Sequence, residues 1–132
     1  MFNDTNGHLA GDQLLRKMAA VMRATIRTSD RAFRYGGDEF AILLPETSID
    51  AACQVAGRVL VEAPRCLKMA TTTITVSLGV ACWPADGISP TEIFAAADSA
   101  LYEAKRRGGN QYVRTYGGVL PVSKAASSSV NA

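Results

Sequence analysis

The chain has 132 residues, 48% hydrophobic and 20% charged, the profile of one globular domain with a real core. A net charge of +2 is too small to argue for nucleic acid or an anionic membrane as partner, and no apolar run reaches the length of a membrane span. Cys53, Cys66 and Cys82 are odd in number and widely spaced, so without a signal peptide they are expected as reduced thiols of a cytoplasmic protein, or of the cytoplasmic part of a membrane-anchored one. One histidine and no Cys-x-x-Cys pair speak against structural zinc.

Met1-Phe2-Asn3-Asp4-Thr5-Asn6-Gly7-His8 enters at once into polar loop chemistry. Asp4-x-Asn6-Gly7 places its glycine too early for an EF-hand, and no closing glutamate follows. A helix is predicted from Gln13 to Ile26, where Leu15, Met18, Met22 and Ile26 share a face. Asp12 stands near its start, where capping alone would explain a carboxylate. Arg31 to Tyr35 alternates, and Phe40 to Leu44 is an apolar run closed by Pro45, so the two predict a β-hairpin. A Gly36-Gly37 loop would supply positive φ angles and let a ligand approach the backbone. Asp38 and Glu39 just beyond it fit a hard cation such as Mg²⁺; the same residues also suit an ordinary solvated hairpin, and locally both readings stand.

Ser48 to about Val61 predicts a second helix, with Ala52, Val55, Ala56, Val59 and Leu60 buried and Pro64 as its stop. Thr71 to Trp83 is β-branched and alternating, one strand or two broken at Gly79. Ser89-Pro90-Thr91-Glu92 is a strong helix start, and Gly108-Gly109 ends the helix that runs to Arg107. A strand from Gln111 to Tyr116 follows, then a Gly, Ser and Ala-rich tail over 117–132 that is expected to be disordered. The order predicts an α+β domain with helices on a mostly antiparallel sheet.

Four stretches then fall into one pattern: Asn3-Asp4-x-x-Gly7-His8-x-x-Gly11-Asp12, Arg34-Tyr35-Gly36-Gly37-Asp38-Glu39-Phe40, Val76-Ser77-Leu78-Gly79-Val80, and Ala97-Asp98-x-Ala100-Leu101-Tyr102-x-Ala104-Lys105. In motif, order and spacing they resemble the GGDEF domain of bacterial diguanylate cyclases, from Phe2 to about Val113. The resemblance implies a nucleotide-cyclase or polymerase-palm-like (ferredoxin-like) sheet over residues 1–116, and condensation of two GTP to cyclic di-GMP with release of two pyrophosphates across a homodimer. It implies Mg²⁺, or alternatively Mn²⁺, held by Asp38 and Glu39, with Asp38 also cast as proton acceptor. It further implies substrate contacts at Asn3, His8, Asp12, Gly36, Gly37 and Lys105. For His8, bracing the loop is an equal reading, and for Lys105 a solvated helix-end cation is the alternative.

Arg27-Thr28-Ser29-Asp30 resembles the family's RxxD inhibitory motif, with Arg58 as a further arginine for the same ligand, so Arg27, Asp30 and Arg58 are the expected feedback site for cyclic di-GMP. Arginine suits it, pairing with guanine O6/N7 and with phosphate; a plain surface ion pair is the alternative. The chain departs from the family in two places. Gly109 stands where an arginine or lysine usually touches phosphate, leaving Arg106 or Arg107 to compensate. The family's first, central strand with its metal-binding aspartate does not precede Phe2, so the polypeptide as given is expected to be a fragment with weak or no cyclase activity and reduced stability. An upstream sensor domain is expected in a full-length protein. Competing readings are a non-catalytic cyclic di-GMP receptor and a GTP-binding regulatory domain.

Overall fold

The computed structural model describes residues 3–68, 72–115 and 123–131. Helix α1 spans Asn3–Thr25, so the polar opening is helical rather than a loop. Once the amphipathic half is docked, each residue added toward the N-terminus fixes one more backbone hydrogen bond without a new nucleus. Asp12 consequently lies exposed in the body of α1 and is not its cap. Leu14, Met18, Val21 and Met22 form the buried stripe, with Leu15 and Ile26 packed at its margin.

Strands β1 (Arg31–Gly36) and β2 (Glu39–Leu44) form the expected hairpin. Helix α2 spans Ile49–Cys66, capped by Ser48 Oγ, which accepts from the Ala51 N–H at 3.2 Å. Ala52, Ala56, Val59 and Ala63 are buried along it, with Val55 and Leu60 partly so. Pro64 does not stop this helix. Only the bond Pro64 would have donated is lost, and the turn still closes through the Leu67 N–H to Ala63 carbonyl at 2.8 Å.

Strand β3 runs unbroken from Thr75 to Trp83. Helix α3 spans Pro90–Arg106 and opens on a complete capping box between Ser89 and Glu92. Gly108 and Gly109 close it with φ of 112° and 75°, donating to the carbonyls of Lys105 and Ala104. The predicted last strand shortens to β4, Tyr112–Arg114; Tyr116 lies outside the described residues.

The sheet order is β1-β2-β5-β3-β4, antiparallel throughout except for the parallel pair β3 and β4. Strand β5 is Ser123–Asn131, so the expectation of a disordered tail is corrected over these nine residues; 117–122 and 132 lie outside the described residues. Its position follows from the unmet backbone hydrogen bonds of two strands with buried faces: β5 supplies antiparallel partners to Glu39–Leu44 on one side and to Thr75–Trp83 on the other. The central place in the sheet that was expected to be missing is therefore filled from the C-terminal side.

Strand alternation divides the core. Phe40, Ile42, Leu44, Val76, Leu78, Val80 and Cys82 join the α1 and α2 residues in one cluster, while Leu43 and Ala81 meet Ile93 and Ala97 of α3 in another. Gly79 falls on the α3 side, where a Cβ would come within 2.1 Å of the Ala97 carbonyl oxygen and 2.4 Å of the Leu101 nitrogen. Its glycine thus serves close approach of α3, not a break in the strand.

Candidate functional site

The β1–β2 hairpin turns one residue later than the motif suggests. Gly36 pairs with Glu39 as the last residue of β1, and the two-residue loop is Gly37-Asp38, with a register irregularity between Arg34 and Gly36. Neither Gly36 nor Gly37 has φ in the left-handed region, so positive φ is not what these glycines provide. A Cβ at either would meet nothing within 4 Å. What they provide is open space over the backbone beside two carboxylates. Arg34 Nε donates to the Gly37 carbonyl at 2.8 Å and braces the tip.

Asp38 and Glu39 are both half-buried there. Among the described residues no group of three or more His, Cys, Asp or Glu gathers as a metal cluster. Two adjacent carboxylates with open approach still fit Mg²⁺, which binds few protein ligands and completes its shell with water and phosphate oxygens.

The other expected substrate residues are spread over the domain. Asn3 and His8 lie on α1, and the placement of their side chains is outside what the structure describes. Asp12 lines a groove of about 610 Å³ between α1 and β1, together with Arg16, Arg23, Arg34, Phe33 and Phe40. Lys105 is exposed in the last turn of α3, on the opposite layer of the sheet. Arg106 and Arg107 are both engaged by Glu103, with Arg107 Nε to Oε2 at 2.9 Å and Arg106 Nε to Oε1 at 2.9 Å. Hydrogen bonds from Arg106 and then Arg107 pull the Glu103 carboxyl down to about 2. A phosphate recruiting either guanidinium would have to compete with this carboxylate.

The arginine motif is the most fully built of the expected sites. Arg27 grips Asp30 with Nη2 to Oδ1 at 2.8 Å and Nε to Oδ2 at 3.1 Å, and its backbone N–H donates to Oδ2 at 2.8 Å. The Asp30 side chain is 1% exposed against 58% for Arg27. Burial pushes the Asp30 carboxyl up, but the side-chain and backbone hydrogen bonds from Arg27, with its charge, outweigh this and leave it below the usual range. Arg27 Nη2 also donates to the Pro45 carbonyl at 3.1 Å and to Thr47 Oγ1 at 2.9 Å. Arg58 reaches from α2 to the Thr25 carbonyl at 3.3 Å. Arg27, Asp30, Thr47, Gln54 and Arg58 line one cavity of about 150 Å³. Thr47 was not singled out from sequence; its only signal there is a hydroxyl residue directly before Ser48, the expected start of the second helix.

The family model "Diguanylate cyclase, GGDEF domain" matches residues 1–111. Diguanylate cyclase A of Treponema denticola is 39% identical over 112 residues, 83% of this chain and 30% of that protein. Diguanylate cyclase DgcP of Pseudomonas aeruginosa is 38% identical over 109 residues, 80% of this chain and 16% of that protein. The fold is similar to the active GGEEF domain of a diguanylate cyclase from Vibrio cholerae, with a TM-score of 0.76 at 29% identity over 85% of this chain and 72% of that one. The chain spans 30% or less of either curated relative's length. No helix among the described residues is long and apolar enough to cross a membrane.

Proposed function

The chain belongs to the GGDEF domain family of diguanylate cyclases, and from that premise we propose that it serves in condensing two GTP molecules to cyclic di-GMP. Two copies face each other, each with one GTP. The ribose 3′-oxygen of one nucleotide forms a bond to the α-phosphorus of the other, the bond from that phosphorus to the pyrophosphate oxygen breaks, and the hydroxyl proton passes to Asp38; repeated in the opposite sense, this closes the ring.

Asp38 and Glu39 hold Mg²⁺ or Mn²⁺, which when bound supplies Lewis acidity for the 3′-hydroxyl and charge neutralisation for the triphosphate. Gly36 and Gly37 leave the hairpin backbone open to the nucleotide. Asp12 and Asn3 recognise guanine, the carboxylate accepting from N1–H and N2–H₂; His8 contacts the nucleotide or braces its neighbours. Lys105 neutralises phosphate charge. Little covalent work falls to the protein, and positioning carries the rate. Arg27, Asp30 and Arg58 form the product's inhibitory site, with Thr47 fixing the guanidinium. The domain acts in the cytoplasm under an upstream sensor.

The observation that carries this reading is the open Gly-Gly backbone beside half-buried Asp38 and Glu39. Its test is calorimetry of GTP binding with and without Mg²⁺, with chromatography for cyclic di-GMP. Mg²⁺-dependent binding, weakened about tenfold in Asp38→Asn, with any product lost in that variant, is expected. GTP binding indifferent to both Mg²⁺ and Asp38→Asn would overturn it. The receptor reading is favoured by the prebuilt arginine cavity, and predicts cyclic di-GMP binding with no affinity for GTP.

A further inference from the structure

Strand β5 sits between two strands that are apolar and buried almost throughout, yet its own sequence is Ser-Lys-Ala-Ala-Ser-Ser-Ser-Val-Asn. Its register makes the mismatch specific. Lys124 lies between Leu44 and Cys82, which are 1% and 2% exposed. Ser128 lies between Phe40 and Leu78, at 3% and 1%, and Ala126 between Ile42 and Val80, each at 1% or less. A strand flanked by buried apolar neighbours ordinarily carries apolar side chains on the face it shares with them, because burial of that area favours the sheet. The β5 sequence, five of whose nine residues are serine or lysine and a further two alanine, offers little apolar area for that purpose. What recommends β5 is its backbone, which meets six residues of β2 and nine of β3. It is also the last element in chain order, so its departure breaks no connection between the others.

We propose that the place between β2 and β3 is a strand-accepting slot in which β5 is an exchangeable occupant. The partner it fits is an extended polypeptide segment of about nine residues with β-branched aliphatic side chains at the positions now held by Lys124, Ala126 and Ser128. Such a segment can make the same backbone ladder as β5 and offers the apolar area that the β5 sequence does not; it enters by strand addition, gaining affinity from main-chain bonds and specificity from alternate side chains. The inference stands independently of the nucleotide chemistry.

The test uses the full chain and three soluble nine-residue peptides flanked by charged ends: one alternating Val, Ile and Thr, one of that composition with the alternation scrambled, and one with the sequence of β5. Backbone amide exchange is followed across 39–44, 75–83 and 123–131. The alternating peptide is expected to bind at least tenfold more tightly than either control, with amides of 123–131 losing protection while those of β2 and β3 keep theirs. Chains carrying Ser128→Val, whose own strand fits better, are expected to capture it at least tenfold more weakly. Unchanged protection of 123–131 at saturating peptide, equal binding of the scrambled peptide, equal capture by Ser128→Val, or dimers that exchange β5 between copies and ignore the peptide would each overturn the proposal.

Discussion

Substituting Gly79 by alanine tests the layer arrangement at its tightest point. The added Cβ would lie 2.1 Å from the Ala97 carbonyl oxygen, 2.4 Å from the Leu101 nitrogen and 3.0 Å from the Leu101 Cα. All three are backbone atoms of a helix, so no side chain can rotate away, and α3 must retreat by about 1 Å to reach tolerable contact. A gap of that size forfeits roughly a quarter to a half of the dispersion well for atoms across it, and Ile93, Ala97 and Leu101 all face this contact. Against this stands about 0.5–1 kcal/mol that alanine gains over glycine inside a strand. The net expectation is destabilisation by about 2 kcal/mol, read in urea as a midpoint about 1 M lower with an unchanged slope. Gly57→Ala is the control: it lies inside α2 with nothing within 4 Å of the new Cβ, and should raise stability by about 0.5–1 kcal/mol. A Gly79→Ala midpoint equal to wild type, or a rise in both variants, would refute close packing of α3 on β3.

Arg27→Ala strips the side-chain partners from a carboxylate that is 1% exposed, so the urea midpoint should fall, and Asp30→Asn added to it should recover part of the loss; in calorimetry, cyclic di-GMP affinity should drop at least tenfold if the cavity holds that ligand. Ser89→Ala removes one half of the α3 capping box and should cost about 1 kcal/mol in the same melts. The Glu103 carboxyl, held at about 2, should titrate there by NMR and rise toward its ordinary value in Arg106→Ala or high salt. Because the folded values of Glu103 and Asp30 are lowered, their contributions are present above the ordinary carboxylate pKa and lost as pH falls through the folded ones, so acid titration of stability should steepen below about pH 4.

Much of the fold was legible because periodicity and punctuation agree in the middle of the chain. The hairpin, the α3 capping box and the Gly108-Gly109 stop are local chemistry, set by residues within one turn of each other. Boundaries that depend on distant packing were not legible. Pro64 reads as a stop, yet the buried Ala63 and Leu67 hold the turn around it. The polar start reads as loop, yet it prolongs a helix anchored by Leu14 and Met18. Strand β5 was the hardest to foresee, since nothing in a serine and alanine tail announces a central strand; it is placed by its neighbours' needs. Of the candidate site, the motif supplied only candidate residues, whereas the turn at Gly37-Asp38 and the Arg27 bond to Thr47 Oγ1 arise from strand register and packing that no local pattern encodes.

The lone parallel pair and the late central strand also set an order of events for folding. Until residues 123–131 have left the ribosome, β1 with β2 and β3 with β4 can form only as separate ladders, each with an open edge. Joining them requires contacts between residues 123–131 and segments forty or more residues earlier, so sheet closure carries a high loop entropy and follows the local ladders. A newly made chain therefore passes through a stage with two apolar edges exposed, and chaperone dependence or aggregation during synthesis should track that stage more closely than the stability of the finished domain.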